Sequence, residues 1–178
     1  WRVNVLATRN LIAAAKKHKV RRFVQISSIV AYGNSAEGEL DEDHPVHADG
    51  GSYVLTKLAS EHAVLAAQAN GDIEIVIVRP GDVYGPGSRP WTILPLEAIA
   101  KHQFLLPAKG EGFFRPIYID DLVRGIALAA QHPDAVGQIF NLSCKGYMAT
   151  KDYFTPHHEW LGKQGPMLLS TKLALRVC

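Results

Sequence analysis

The chain has 178 residues, of which 47% are hydrophobic and 20% are charged, and its formal net charge is +2. This length supports a domain with a real core, and the small charge favours no nucleic-acid or other charged partner. No apolar run reaches the ~18–20 residues of a membrane span. Cys144 and Cys178 are too few for a disulfide framework, so a cytoplasmic location is expected.

The first elements are a helix and a buried strand. Residues 3–18 show a helical pattern whose expected inner side holds Val5, Leu6, Leu11, Ile12 and Ala15. Residues 22–27 form a short apolar run after a basic start, which is typical of a strand in a parallel sheet. Ser28 would then lie at the carboxyl end of this strand, where open α/β sheets bind ligands.

A long polar loop and a second helix follow. The loop spans residues 29–52 and contains the acidic stretch 37–43; loops of that length are usually functional or mobile. Helix 53–69 begins with Tyr53 and Lys57, and residues four apart share one helix face. A cation beside a phenol lowers the phenol pKa from about 10, which would let Tyr53 exchange a proton near neutral pH. An exposed helix pair without function is the competing interpretation.

The rest of the chain alternates strands and helices. Residues 73–79 predict a second buried strand that runs into a Gly/Pro loop at 80–87, so Ser28, the Tyr53 helix and this loop would meet at one sheet edge. Either Asp120 or Asp121 can cap a helix that runs to residue 131. The remaining predicted elements are helices at 92–102, 150–161 and from 170 onward, and short strands at 103–107, 116–119 and 138–142.

Five stretches carry a family pattern. They are Asn4–Leu11, with Ala7 where a glycine is usual, Ser27–Gly33, Tyr53–Lys57, Arg79–Gly87 and Tyr118–Leu122. In this order and spacing they resemble the extended short-chain dehydrogenase/reductase family, in its NAD-dependent epimerase/dehydratase branch, over residues 2–143.

The resemblance implies an α/β fold with a Rossmann-like, doubly wound parallel sheet. This chain would hold the C-terminal half of that sheet and part of a small substrate-binding lobe. Residues 1–85 would belong to the dinucleotide-binding domain. Residues 86–178 would supply lobe elements interleaved with a returning Rossmann strand and helix, and would be truncated at the C-terminus.

The resemblance also implies a catalytic triad. Tyr53 would be the general acid/base, Lys57 would lower the phenol pKa and bind the nicotinamide ribose, and Ser28 would orient the substrate oxygen. The reaction would be hydride transfer between a secondary alcohol or ketone and the cofactor, NAD or NADP. The other expected cofactor contacts are the backbone of Pro80, Gly81, Asp82 and Val83. Ser27 is a further candidate, for which a buried serine bonded to the backbone is the equally favoured alternative.

Substrate contacts are expected from Ser28, Tyr84, Trp91 and Arg115, although packing is the alternative for the aromatic residues. Nucleotide-sugar members usually carry an arginine one residue further from the tyrosine than Arg115 is from Tyr118. This departure favours a less polar substrate, as in members similar to 3β-hydroxysteroid dehydrogenases. A nucleotide-sugar epimerase or dehydratase and a non-catalytic NAD(P)-sensing protein are the alternatives.

Few partners are expected besides the cofactor and a small-molecule substrate. No metal site is predicted, because the adjacent His157 and His158 would point about 100° apart on a helix and no H-E-x-x-H occurs. The family resemblance makes a homodimer possible, with helices 3–18 and 53–69 as the candidate interface.

The chain contains no Gly-rich turn of the G-x-G-x-x-G kind that holds a pyrophosphate at a helix N-terminus. It starts at Trp1 and stops at Cys178, in both cases within a helical pattern, and is expected to be an internal fragment of a longer enzyme. We therefore predict that the purified chain binds NAD weakly and is inactive. Isothermal titration tests this, and tight stoichiometric binding of NAD would contradict it.

Overall fold

The computed structural model describes residues 1–33 and 38–174. Glu37, the first residue of the predicted acidic stretch, lies outside the described residues, as do Cys178 and the end of the last predicted helix. The α-helices are α1 (Ala7–Lys17), α2 (Gly51–Ala69), α3 (Leu94–Ala100), α4 (Ile119–Gln131), α5 (Thr150–Trp160) and α6 (Thr171–Ala174). The strands are β1 (Arg22–Ile26), β2 (Glu74–Pro80), β3 (Asp82–Tyr84), β4 (Leu105–Leu106), β5 (Phe113–Phe114), β6 (Pro116–Tyr118), β7 (Ile139–Leu142), β8 (Met148–Ala149) and β9 (Met167–Leu168).

The chain divides into two compact units. The first unit comprises Trp1–Gly81 and Asp120–Leu142, and the second comprises Asp82–Ile119 and the chain from Ser143 onward. The first unit therefore contains α1, β1, α2, β2, β7 and α4 from its second residue. The assignment of residues 1–85 to a dinucleotide-binding domain and of 86–178 to a substrate lobe stays a prediction.

A parallel sheet in the order β1-β2-β7 forms the centre of the first unit. Its middle strand, β2, is covered on both faces, and the side chains of residues 75–78 are at most 1% exposed. This burial explains why residues 75–78 form a continuous apolar run rather than an alternating one. The parallel sheet with flanking helices confirms the predicted α/β class.

Helices α1 and α2 pack against one face of the sheet. The core there contains Ile12, Ala15, Val64, Ala67, Ile73, Ile75 and Ile77. The expected inner side of the first helix is wrong at two positions, because Leu6 is 42% exposed and Leu11 is 57% exposed. The buried residues Val5, Thr8, Ile12 and Ala15 follow a spacing of three and four, and Leu11 lies about 100° around the helix from Ile12.

Two predicted loops contain regular structure. The loop expected at 29–52 begins with the 3-10 turn Ile29–Tyr32, and α2 starts at Gly51. The loop expected at 80–87 contains β3, which pairs in parallel with β6. Gly and Pro correctly mark the ends of β2 and β3, but the partner strand that makes residues 82–84 regular lies over thirty residues away, where no local signal reveals it.

The second unit is formed by short strand pairs and an aromatic core. Among the described residues, β3 pairs with β6, β4 with β9, and β5 with β8. The core residues are Leu106, Phe114, Tyr153 and Phe154, with Tyr84, Trp91, Phe104 and Met148 packed against them. The unit thus depends on aromatic packing rather than on a large sheet.

β1 is an edge strand within the part of the chain that is described, where β2 is its one partner. Its last residue, Ile26, is 38% exposed. An open edge with an exposed apolar side chain favours association with another chain. No helix among the described residues has both the length and the apolar content needed to cross a membrane.

We predict that Ile12→Ala and Leu11→Ala differ strongly although the residues are adjacent. Ile12 is 6% exposed in the core, so its truncation should lower the free energy of unfolding by about 2–5 kcal/mol. Leu11→Ala should change it by less than about 0.5 kcal/mol, because this side chain is largely in water. Urea denaturation of both variants measures the difference, and similar losses would contradict the burial of α1.

Candidate functional site

Helix α2 presents Tyr53 and Lys57 one turn apart in its first half. The Lys57 Nζ lies 5.7 Å from the centroid of the Tyr53 ring. Tyr53 is 53% exposed, whereas Val54 and Leu58 are buried against the turn after β1. The apolar residues of α2 therefore hold the helix in place while the Tyr53 ring remains accessible to a ligand.

The Lys57 amine is bound to the carboxyl end of β1. Its Nζ donates a hydrogen bond of 3.0 Å to the carbonyl oxygen of Ile26, the last residue of that strand. Burial lowers the pKa of Lys57, and the negative charge of Glu61 partly opposes this shift. The lysine is thus held in a defined position, unlike a freely moving surface lysine.

Ser28 lies two residues beyond Ile26 and begins the 3-10 turn. It is 9% exposed, and its Oγ accepts a long hydrogen bond of 3.4 Å from the Val30 amide. Because the oxygen acts as an acceptor in this bond, the hydroxyl proton remains available to a substrate oxygen. Ser28 and Lys57 are therefore both tied to the end of β1.

The neighbouring Ser27 has an unusual environment. It is 3% exposed, and its Oγ has no hydrogen-bond partner among the described residues. Its backbone amide donates to the Val78 carbonyl at 2.7 Å, which fixes the serine beside β2. Buried hydroxyl groups normally find a partner, so this strand end can take up one further polar group.

Two backbone amides that follow β2 already donate hydrogen bonds within the protein. The amide of Gly81 donates to Leu142, and the amide of Asp82 donates to Arg115, at 2.9 and 2.8 Å. Pro80 has no amide proton to offer. In this conformation these two amides do not donate to a ligand, and the expected contact of residues 80–83 with a nicotinamide carboxamide stays a prediction.

A buried polar network behind the site was not expected from the sequence. Arg79 donates from Nε and Nη2 to the two carboxylate oxygens of Glu61, at 3.0 and 2.8 Å, and both side chains are 3% exposed. Its Nη1 donates to the Tyr32 hydroxyl at 3.0 Å. That hydroxyl in turn lies 2.9 Å from the Asn141 Oδ1 and from the Asp41 carbonyl oxygen. Two features of the sequence could have indicated this network: the charged Arg79 at the end of the apolar run of β2, and Glu61 one helical turn after Lys57.

The predicted substrate residues of the second unit are mainly engaged in packing. The Tyr84 ring lies 5.4 Å from Tyr118 and 5.6 Å from Tyr153, and Trp91 packs edge-on against Phe114 at 4.8 Å. These contacts favour the packing interpretation of the aromatic residues. Their contact with a substrate stays a prediction.

Arg115 lies beside the exposed aromatic residue Tyr147. Its Nη1 donates to the Gly146 carbonyl, and its guanidinium lies 5.9 Å from the centre of the Tyr147 ring. The backbone amide of Arg115 donates to the Asp82 carboxylate at 3.1 Å. Burial raises the pKa of Asp82, and this hydrogen bond partly opposes the shift.

The two adjacent histidines of α5 are buried. His157 Nδ1 lies 3.1 Å from the Tyr153 carbonyl oxygen, and burial lowers the pKa of His157. His158 packs against Phe104 at 5.6 Å, and its ring nitrogens have no partner in the described part of the chain. Within residues 1–33 and 38–174, no group of three His, Cys, Asp or Glu side chains could hold a metal ion.

The comparisons of this chain with known proteins agree on one family. The model of the NAD dependent epimerase/dehydratase family matches residues 1–143. A dTDP-glucose 4,6-dehydratase of Streptomyces niveus is 33% identical over 132 residues, which are 71% of this chain and 38% of that protein. A decarboxylating sterol-4-alpha-carboxylate 3-dehydrogenase of Candida albicans is 39% identical over 92 residues, which are 49% of this chain and 26% of that protein.

The fold is also found in a solved structure. The UDP-glucuronic acid 4-epimerase of Bacillus cereus, in complex with NAD, matches with a TM-score of 0.81 and 28% sequence identity. The match covers 95% of this chain and 56% of that one. The chain thus spans less than half the length of the two curated relatives and just over half of this structure.

The half-buried Lys57 should reduce stability. A lysine whose pKa in the folded state lies below the ordinary 10.5 lowers the free energy of unfolding. This destabilisation is greatest at pH values below the folded pKa, and it disappears as the pH rises through 10.5. We predict that Lys57→Met unfolds at the same or a higher urea concentration than the wild type at neutral pH. The advantage should shrink as the pH approaches 10.5.

The exposed Lys101 provides the control for this comparison. Lys101→Met should change the free energy of unfolding by less than about 0.5 kcal/mol, because surface substitutions rarely do more. A Lys57→Met variant that is clearly less stable than the wild type at neutral pH would show that the bond to Ile26 outweighs the cost of burial.

Proposed function

The chain belongs to the NAD-dependent epimerase/dehydratase family of extended short-chain dehydrogenases/reductases, and on this basis we propose that it carries the proton-transfer part of a NAD(P)-dependent oxidoreductase site. The reaction is reversible hydride transfer between a secondary alcohol or ketone and a nicotinamide cofactor. The main support is the position of the Lys57 amine, bonded to Ile26 and 5.7 Å from the Tyr53 ring. Ser28 follows the same strand end.

Each member of the proposed triad has one task. During oxidation the exposed Tyr53, as the phenolate, takes the proton from the substrate hydroxyl and becomes the phenol; during reduction the phenol gives this proton back to the substrate oxygen. The positive charge of Lys57 stabilises the phenolate, the form in which oxidation begins and reduction ends. Ser28 donates its hydroxyl proton to the substrate oxygen and so fixes the direction of the carbinol.

The residues at this strand end fit a nicotinamide cofactor. Lys57 has three donor protons, one of which is used by Ile26, so the others are available to ribose hydroxyls. The buried Ser27 hydroxyl lacks a partner among the described residues and can bind one more polar group. The cofactor, when bound, supplies the hydride acceptor or donor, while proton transfer belongs to the protein. NAD is favoured because the similar epimerase structure contains it.

Two substrate classes are compatible with this site. A sterol-like or other weakly polar alcohol is favoured by Arg115, which is already bound to Gly146 and lies near the Tyr147 ring. A nucleotide-sugar epimerase or dehydratase is favoured by the Streptomyces niveus and Bacillus cereus relatives. Product analysis separates them, because epimerases and dehydratases leave the cofactor without net oxidation or reduction.

A cytoplasmic homodimer is part of the proposal. Exposed leucines on the two helices support it, since Leu6 and Leu11 of the first helical region and Leu55 and Leu65 of α2 are between 37% and 57% exposed. A continuous apolar patch formed by such residues would be a typical surface for association with another subunit.

Substitution of the phenol tests the proposed reaction. In the protein expressed with any coding sequence that precedes Trp1, Tyr53→Phe should lower the rate of hydride transfer by about 10²–10⁴-fold, because the acid/base group is lost. Binding of NAD should remain close to that of the wild type. The assays are cofactor absorbance with a panel of alcohols and nucleotide sugars, and calorimetric titration of NAD.

Tyr147→Phe is the matched control. Tyr147 is 61% exposed, similar to Tyr53, but it lies in the second unit and has no role in the triad. Its substitution should leave turnover close to that of the wild type, because it keeps the ring that lies near Arg115 and removes only an exposed hydroxyl. Wild-type turnover in Tyr53→Phe would eliminate Tyr53 as the acid/base.

A further inference from the structure

The buried glutamate one turn beyond Lys57 has an unexpected partner. Lys57 and Glu61 are four residues apart on α2, the spacing at which lysine and glutamate side chains commonly form an ion pair. Here both Glu61 oxygens accept hydrogen bonds from Arg79, at 3.0 and 2.8 Å. The Lys57 amine donates instead to the Ile26 carbonyl.

The geometry of Arg79 suits a contact with both oxygens of Glu61. It is the penultimate residue of β2, and its guanidinium binds the carboxylate with two parallel hydrogen bonds. A lysine could not form this two-pronged contact, because its ammonium is a point charge. The third guanidinium contact, from Nη1 to the Tyr32 hydroxyl, uses a nitrogen that does not bind Glu61.

We propose that Arg79 is a positioning residue for Lys57: by holding both oxygens of Glu61 against β2, it keeps this carboxylate away from the Lys57 amine. The amine then remains on the Ile26 oxygen, near the Tyr53 ring. The importance of this arrangement for catalysis rests on the proposed function, whereas the arrangement itself can be measured without any substrate.

The charges around Lys57 support this role. In the described part of the chain, Tyr53 and Glu61 of α2 interact with Lys57, Arg79 of β2 pairs with Glu61, and β1 presents the neutral carbonyl of Ile26. Burial lowers the pKa of Lys57, and Glu61 opposes the shift only in part. Without Arg79, Glu61 would carry an unpaired charge, and its field already acts on Lys57.

The test is competitive trace acetylation of the complete chain at a series of pH values, followed by mass spectrometry of the peptide that holds Lys57. The exposed Lys101 serves as the internal reference. In Arg79→Met we expect the pH midpoint of Lys57 labelling to rise by about one unit, because Glu61 turns to the amine. In Glu61→Gln the midpoint should move by less than about half a unit, because Arg79 already neutralises the carboxylate.

Two further variants separate positioning from general destabilisation. The double variant Arg79→Met/Glu61→Gln should lose the rise, since the released carboxylate is no longer present. Tyr32→Phe removes a contact of Arg79 but leaves its pair with Glu61, so Lys57 labelling should match the wild type. A purely structural Arg79 predicts instead that both Arg79→Met and Tyr32→Phe alter labelling in the same direction.

The labelling results decide whether Arg79 positions Lys57. A folded Arg79→Met variant with a wild-type Lys57 midpoint overturns the proposal. If circular dichroism shows that Arg79→Met does not fold, Glu61→Gln decides: a fall of about one unit or more means that the Glu61 charge dominates at Lys57 despite its pair with Arg79, and the proposal is wrong. The expected shifts without any hydride transfer would reject the proposed function and leave the positioning role intact.

Discussion

The buried ion pair between Arg79 and Glu61 is the contact on which the arrangement of the first unit depends. Both side chains are 3% exposed, and either one alone would be an uncompensated charge in the interior. The pair joins the end of β2 to the middle of α2, and Tyr32 extends it to the turn after Ser28. The position of α2 along the sheet is therefore fixed by a contact that cannot slip by one residue without exposing a charge to an apolar core.

This fixed position brings several energetically costly features to one end of the sheet. Tyr53 is exposed, Lys57 is half-buried with its pKa lowered, and the buried Ser27 hydroxyl has no partner among the described residues. At the other end of the first unit, Arg22 binds Glu74 and three carbonyl groups at and just after the end of α4. The end of the sheet where the strands finish thus combines the fully bonded Arg79–Glu61 pair with a buried Ser27 hydroxyl that can bind one further polar group.

The central sheet and helix α2 could be predicted from the sequence because their signals are local. The apolar run of β2 and the Tyr53–Lys57 spacing need no knowledge of distant residues. The buried face of α1 was predicted only in part. Leu11 is as apolar as Ile12, and only the packing of the helix against the rest of the core determines which of the two is buried. The pairing of β3 and the bonds between Arg79 and Glu61 join residues that are distant in sequence, so composition and periodicity could not predict them.

The relatives explain why the substrate is harder to infer than the chemistry. Proteins named as a dehydratase, a sterol dehydrogenase and an epimerase all share parts of this segment, so the segment itself does not select one substrate. The proposed triad lies wholly within the first unit, on the end of β1 and on α2. The residues expected to contact a substrate, apart from Ser28, lie in the second unit, where aromatic packing and the bonds of Arg115 dominate. Proton transfer needs a few fixed groups at a strand end, whereas selectivity depends on side chains that can change without disturbing the sheet.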